Sequence, residues 1–182
     1  GCVVDNVDTV VAVYKAVILG RPVMNRIVTV TGDAIASPKN FTVLTGTNME
    51  ELIEAAGGLK TGAAKVISGG PMMGFAMFDL HVPCVKTTSA FLCLEKDAVS
   101  EAQKQMTACI NCGRCVRVCP GRVLPARLAT LAERGDMAGF EKLNGMECCE
   151  CGCCSYVCPA KRPLTQSIKS MRKMVLASRR KK

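Results

Sequence analysis

Cys109, Cys112, Cys115, Cys119 and Pro120 return as Cys148, Cys151, Cys154, Cys158 and Pro159, every one displaced by 39 residues. Both copies read C-x2-C-x2-C-x3-C-P, a spacing in which three close thiolates hold one iron–sulfur cubane while the fourth crosses to the other. The duplication therefore predicts two 4Fe–4S clusters. The glycine after the second ligand repeats as well, Gly113 matching Gly152, as expected where a loop must bend its backbone tightly around a cluster.

Two blander uses of so many cysteines fail on spacing. A structural zinc site closes tetrahedrally from ligand pairs and gains nothing from a third cysteine two residues on and a fourth followed by proline. A disulfide scaffold would have to pair thiols too close in sequence to bridge without strain, and no secretory signal points to an oxidising compartment. In the second run Cys149 and Cys153 could substitute as ligands, but the offset places them opposite Ile110 and Arg114, neither a ligand. By the crossing rule, Cys109, Cys112, Cys115 and Cys158 hold one cluster, and Cys148, Cys151, Cys154 and Cys119 hold the other. Cys2, Cys84 and Cys93 stand among apolar residues and read as small buried hydrophobes.

With 182 residues, 49% of them hydrophobic, the chain can hold one ordinary domain or two small ones. No apolar run approaches a membrane span, so membrane association is expected through a partner or the surface. Gly1 opens the chain in mid-pattern, which suggests a fragment of a longer protein. The formal net charge is +9; with two oxidised cubanes of about −2 each it would fall to roughly +5. Much of the excess lies in KSMRKMVLASRRKK from Lys169, where Ile168, Met171 and Val175 keep helical spacing. A solvated, frayed C-terminal helix is the first expectation, with contact to an acidic partner or anionic headgroups as the sharper options. Aromatics make up only 4% of the chain, leaving no stacking platform for nucleic acid.

Val3, Val7, Val10, Val11, Tyr14 and Val17 fall near a 3.6-residue period between an N-cap at Asn6 and a stop at Gly20 and Pro22, an amphipathic helix. From Arg26 the pattern alternates through Thr31, and Phe41 to Leu44 supplies a hairpin partner. Thr47 and Glu50 read as a capping box for a short helix over Glu51 to Ala56 that stops at Gly57 and Gly58. Further strands fit Val66-Ile67, Val82 to Val85 and Ala90 to Leu94, giving a small α+β unit. The glycine-rich stretch Ser68 to Gly74 lacks a Walker lysine and the G-x-G-x-x-G order, so it reads as a tight turn needing positive φ rather than a phosphate site. Met72 and Met73 read as packing residues, and His81 as a lone histidine with no catalytic partner. After Lys96 the composition turns helical: Ala98 to Met106, Leu124 to Arg134, Met137 to Leu143 and Leu164 to Leu176 flank or separate the cysteine runs, as in an α-helical ferredoxin module.

Several segments resemble the C subunit of the Rnf electron-transport complex. They are Val28-Thr29-Val30-Thr31-Gly32-Asp33, Glu51 to Gly58 (ELIEAAGG), Val66 to Gly74 (VISGGPMMG) and Cys151 to Pro159 (CGCCSYVCP). The resemblance implies an α+β chain: a small β-grasp, soluble-ligand-binding domain over 23–96, followed by an α-helical ferredoxin-type domain over 97–168 with two 4Fe–4S clusters. Residues 1–22 would be the end of a truncated flavin and NADH-type domain, and 169–182 a basic C-terminal tail. It further implies an electron-transfer subunit of an ion-translocating ferredoxin/NAD oxidoreductase, relaying single electrons. FMN and NAD(H) are expected in the missing N-terminal part, so no catalytic residue is assigned here. The partners implied are the other subunits of the membrane complex and a ferredoxin, with no nucleic acid. The place implied is the cytoplasmic face of the bacterial inner membrane, held peripherally.

Arg114, Arg117 and Arg122 flank the first run, and Lys161 and Arg162 the second; they would favour a reduced, more negative cluster and steer an acidic carrier. Two other readings remain open at this point. One is a fragment of a cobalamin-reductase-type iron–sulfur flavoprotein; the other is a non-redox zinc or partner-binding module.

Overall fold

The computed structural model describes residues 1–180 and divides into two compact units, residues 1–96 and the residues from Asp97 onward.

In the first unit, strands β1 (Asn25–Thr31), β2 (Lys39–Leu44), β3 (Lys65–Ser68), β4 (Phe75–Ala76) and β5 (Ala90–Leu94) form one sheet in the order β2-β1-β5-β3-β4. β1 pairs antiparallel with β2, Val28 opposite Phe41, and parallel with β5, Val30 opposite Phe91. A parallel pair needs a crossover between its strands, and helix α2 (Met49–Ala55) lies within it. Alternation along β1 turns Val28 and Val30 to one face, where they are wholly buried with Phe91, Cys93 and Leu52 and Ile53 of α2. This is the grasp of a helix by a mixed sheet. Gly32 ends β1 at φ 126°, and a Cβ there would lie 1.9 Å from the Cys93 carbonyl oxygen, so only glycine lets the chain pass β5 this closely.

Several expectations change here. The cap of α2 is Asn48, whose side chain accepts from the Glu50 N–H, and not Thr47. Val82 to Val85 is not a strand; its proline, Pro83, makes only an isolated bridge to Asn48, consistent with a residue that cannot donate to a ladder. Gly69 does take positive φ, 102°, but Met72 and Met73 are exposed rather than packed. His81 has partners on both ring nitrogens, Glu50 at 2.9 Å and Asp79 at 3.1 Å, because loop and helix N-terminus meet there. Cys84 and Cys93 are buried as expected, which pushes both thiols up, whereas Cys2 is exposed. Helix α1 (Val7–Leu19) has its Asn6 cap and its Gly20 stop, yet none of its residues is buried.

The second unit comprises α3 (Ala98–Lys104), α4 (Arg114–Arg117), α5 (Pro125–Glu133), α6 (Met137–Lys142), a 3-10 turn (Gly145–Glu147), α7 (Cys153–Tyr156) and α8 (Leu164–Arg180). Leu164, Ile168, Met171 and Val175 form a stripe along α8, and Ile168, Met171 and Val175 pack with Leu128 and Phe140. The solvated C-terminal helix is thus corrected: its apolar stripe is core, and its helix runs unbroken past residue 168. The charge density that suggested a tail sits on the outer face, with Arg179 bonded to Glu141 at 2.6 Å. Lys181 and Lys182, the last of that basic stretch, lie outside the described residues.

The repeat is visible in the backbone. Asn111, Gly113 and Arg122 have φ of 55°, 70° and 50°; their counterparts Glu150, Gly152 and Lys161 have 57°, 83° and 52°. α4 answers α7 and α5 answers the start of α8.

Candidate metal centres

Each cysteine run wraps the start of a short helix. Left-handed Asn111 and Gly113 turn the first run into α4, and left-handed Glu150 and Gly152 turn the second into α7. These turns bring the first three thiols of each run to one side. After the fourth cysteine, Pro120 and Pro159 end the turn, and a further left-handed residue redirects the chain into α5 or α8.

Two cavities result. One of about 160 Å³ is lined by Cys109, Cys112, Cys115 and Cys158. The other, about 10 Å³, is lined by Cys119, Cys148, Cys149, Cys151 and Cys154. The first therefore takes three cysteines from one run and one from the other, the second takes Cys119 from the first run and four from its own, Cys149 among them, and Cys153 lines neither. All thirteen cysteines are free thiols. Among the described residues no three His, Cys, Asp or Glu converge closely enough to hold a single metal ion. Four thiols spread around one apolar recess suit a multi-atom group with several coordination points better than one tetrahedral ion. The donor set fits a cubane at both cavities, more loosely at the first.

The electrostatics of the two cavities differ. Cys109 and Cys112 are exposed, whereas Cys148 and Cys151 are partly buried. Burial pushes the thiols of Cys148 and Cys154 up; iron would reverse this, since a coordinating thiol is deprotonated outright. Cys148 accepts the Glu150 N–H at 3.4 Å, and Cys154 lies 3.3 Å from the Thr165 hydroxyl. Arg172 bonds Glu150 and, at 3.3 Å, the Met146 carbonyl, while Lys169 sits 3.6 Å from Glu150.

Arg162 stands beside the second run in sequence but lines the first cavity, because the chain has crossed over by Cys158. It grips Glu133 at 2.6 and 2.7 Å. Burial alone would lower its pKa, but Glu133 and Cys109 outweigh that and raise it. Sequence reasoning missed this placement, and it missed Thr165 and Arg172 entirely. The signal that could have found them is the same 39-residue offset, carried beyond the cysteines: it pairs Arg162 with Val123 and Thr165 with Ala126, and each of these lines the opposite cavity.

Residues 27–76 match the SLBB domain family, and residues 108–161 the 4Fe-4S dicluster domain family. The chain is 41% identical over 181 residues to the C subunit of the Na(+)-translocating ferredoxin:NAD(+) oxidoreductase complex of Acetobacterium woodii, covering all of this chain and 40% of that protein. It is 41% identical over 173 residues to the C subunit of the proton-translocating ferredoxin:NAD(+) oxidoreductase complex of Clostridium ljungdahlii, covering 94% of this chain and 37% of the relative. The C subunit of an ion-translocating oxidoreductase complex of Rhodobacter capsulatus is 43% identical over 167 residues, 92% of this chain and 32% of its own length. The chain thus spans two fifths or less of these curated relatives. The dicluster match supports two 4Fe–4S clusters. No helix among the described residues is long and apolar enough to cross a membrane. With an SLBB domain followed by a 4Fe-4S dicluster domain, and similarity along nearly its whole length, the chain is a homologue of the C subunits of ion-translocating oxidoreductase complexes.

Proposed function

We propose that this chain relays single electrons within the C subunit of an Rnf-type ion-translocating ferredoxin:NAD oxidoreductase. The observation that carries the proposal is the pair of cysteine-lined cavities, each built from both cysteine runs. Cys109, Cys112, Cys115 and Cys158 would hold one cubane, and Cys119, Cys148, Cys151 and Cys154 the other. The cubanes supply one-electron redox chemistry. The protein supplies thiolate charge and an apolar wall: Val116, Ala126 and Leu164 around the first cavity, Val123, Pro125 and Ile168 around the second. Such walls keep water from the ligands and set the local dielectric.

Electrons enter or leave at the first cavity in this reading. Its outer thiols are exposed, and Arg114 and Arg117, next to its lining residues Gly113, Cys115 and Val116, are exposed and make no ion pair among the described residues. Unpaired guanidinium groups attract an acidic carrier such as a ferredoxin. We assign FMN and NAD(H) to parts of the subunit outside the span shared here, and give no residue of this chain a hydride-transfer role. Association with the membrane is peripheral in this reading, through the other subunits of the complex, on the cytoplasmic face. The helical unit is taken as the relay.

The deciding experiment is iron, zinc and acid-labile sulfide per chain after anaerobic purification. About eight iron and eight sulfide are expected for two cubanes. Near-stoichiometric zinc without sulfide after attempted reconstitution would overturn the relay.

A further inference from the structure

The duplicated frame allows a residue-by-residue comparison of the two centres. Counted by the offset, Val116 and Ala126 of the first copy become Ser155 and Thr165 of the second. Val116 and Ala126 line the first cavity and present only methyl groups, while Thr165 lines the second. Two apolar positions have become two hydroxyls at one centre only.

Their hydrogen bonds form a directed chain. The Thr165 backbone N–H donates to the Ser155 hydroxyl oxygen at 2.9 Å. The Ser155 hydroxyl hydrogen is donated to the Thr165 hydroxyl oxygen at 2.9 Å. Thr165 Oγ1 lies 3.3 Å from Cys154 Sγ. A thiolate bound to iron has no hydrogen to give, so it can only accept. The Thr165 hydroxyl oxygen is already an acceptor from Ser155, which leaves its hydrogen for the sulfur. Cys154 is buried, so water does not compete freely for this donor.

We propose that Thr165 donates its hydroxyl hydrogen to the Cys154 thiolate and thereby raises the reduction potential of the second cluster, a hydroxyl contact whose counterpart position at the first, Ala126, carries no donor. The inference rests on the cluster reading given under Proposed function. A donor to a thiolate stabilises the electron-rich state more than the oxidised one, because a charge-assisted hydrogen bond strengthens as negative charge on the acceptor grows. Ser155 is the residue that fixes the donor, by occupying the oxygen lone pair and anchoring the backbone at the start of α8.

The test is a redox titration followed by electron paramagnetic resonance on reconstituted wild type, Thr165→Val and Thr165→Ser. Valine keeps the shape and removes the hydroxyl; serine keeps the hydroxyl. Thr165→Val is expected to move one of the two redox waves to more negative potential and leave the other in place, with Thr165→Ser returning it toward wild type. After exchange into deuterated water, pulsed resonance should show exchangeable deuteron couplings at that cluster, the Glu150 amide on Cys148 among them, of which Thr165→Val loses one and Thr165→Ser keeps it. Unmoved waves with an unchanged deuteron coupling in a fully loaded Thr165→Val protein would overturn the proposal. Iron and sulfide are measured on every sample, so that loss of clusters in wild type, which removes the parent reading and this one together, is separated from a failure of tuning alone. If Thr165→Val does not retain its cluster, Ala126→Thr decides: the hydroxyl placed against Cys115 is expected to raise the other wave, and no shift would sink the idea.

Discussion

The two cysteine cavities share a backbone and differ in almost everything that touches it. φ angles at the three left-handed positions agree within about fifteen degrees between copies, yet one cavity is open and edged by a paired guanidinium while the other is tight, half-buried and edged by hydroxyls. The comparison teaches that ligand geometry and redox tuning are encoded separately. Glycines, prolines and cysteines fix where the thiols sit. Residues just before and at the start of the following helices, a few positions past the fourth cysteine, decide what each centre feels, and these have diverged: Arg162 against Val123, Thr165 against Ala126, Leu164 against Pro125.

The comparison breaks most visibly at the ligands. Cys112→Ser and Cys151→Ser are each expected to cut iron from about eight to about four per chain, with opposite clusters lost, whereas Cys149→Ser should leave iron at its full value. Iron analysis with resonance spectra of each variant checks both the crossing and the register; loss of the second cluster from Cys149→Ser would move that site by one residue. A smaller effect is expected from Ile168→Ala. Ile168 is wholly buried and lines the second cavity, so truncation should cost about 2–5 kcal/mol and release the second cluster before the first on denaturant titration.

Glu133→Gln sharpens the electrostatic side of the contrast. Glu133 neutralises Arg162 at the first cavity; removing its charge should raise the first cluster's potential by something on the order of tens of millivolts and leave the second in place. Equal movement of both waves would deny that Arg162 acts on one centre. The smallest effect belongs to the exposed arginines. Replacing Arg114, Arg117 and Arg122 by Gln should leave iron content unchanged while flattening the salt dependence of electron transfer from an acidic carrier, measured by stopped flow across ionic strengths. A salt slope equal to wild type would remove the steering role.

The sequence reveals these features unevenly, for physical reasons. Ligand runs are short and local, so their spacing alone carries the chemistry: the 39-residue offset fixes the register, and the crossing rule of that spacing predicts which thiols share a cavity. The sheet of the first unit was legible from alternation at Ile27 to Thr31, where a period of two meets a half-buried face, and from the short apolar run Ala90 to Leu94. Val82 to Val85 misled because β-branched residues promised a strand that Pro83 could not support. α8 misled in the other direction: its basic face dominated composition, while the four-residue stripe from Leu164 to Val175 that makes it core is only a minority of the helix. Arg162 and Thr165 were hidden because their roles depend on where the chain goes after crossing, which no local pattern states. His81 looked solitary because Glu50 lies 31 positions away along the chain.

In the proposed assignment, the crossing of the fourth ligand also sets an order in time. As the chain leaves the ribosome, the first run emerges with three thiols for one centre and Cys119 waiting for a centre not yet made. The second centre has its full complement once Cys154 has emerged; the first, although three of its ligands were synthesised long before, must wait for Cys158. Neither centre has its full set of ligands in a nascent chain that stops in the connecting segment. A chain interrupted between them would carry three of the four ligands of one centre and a single ligand of the other.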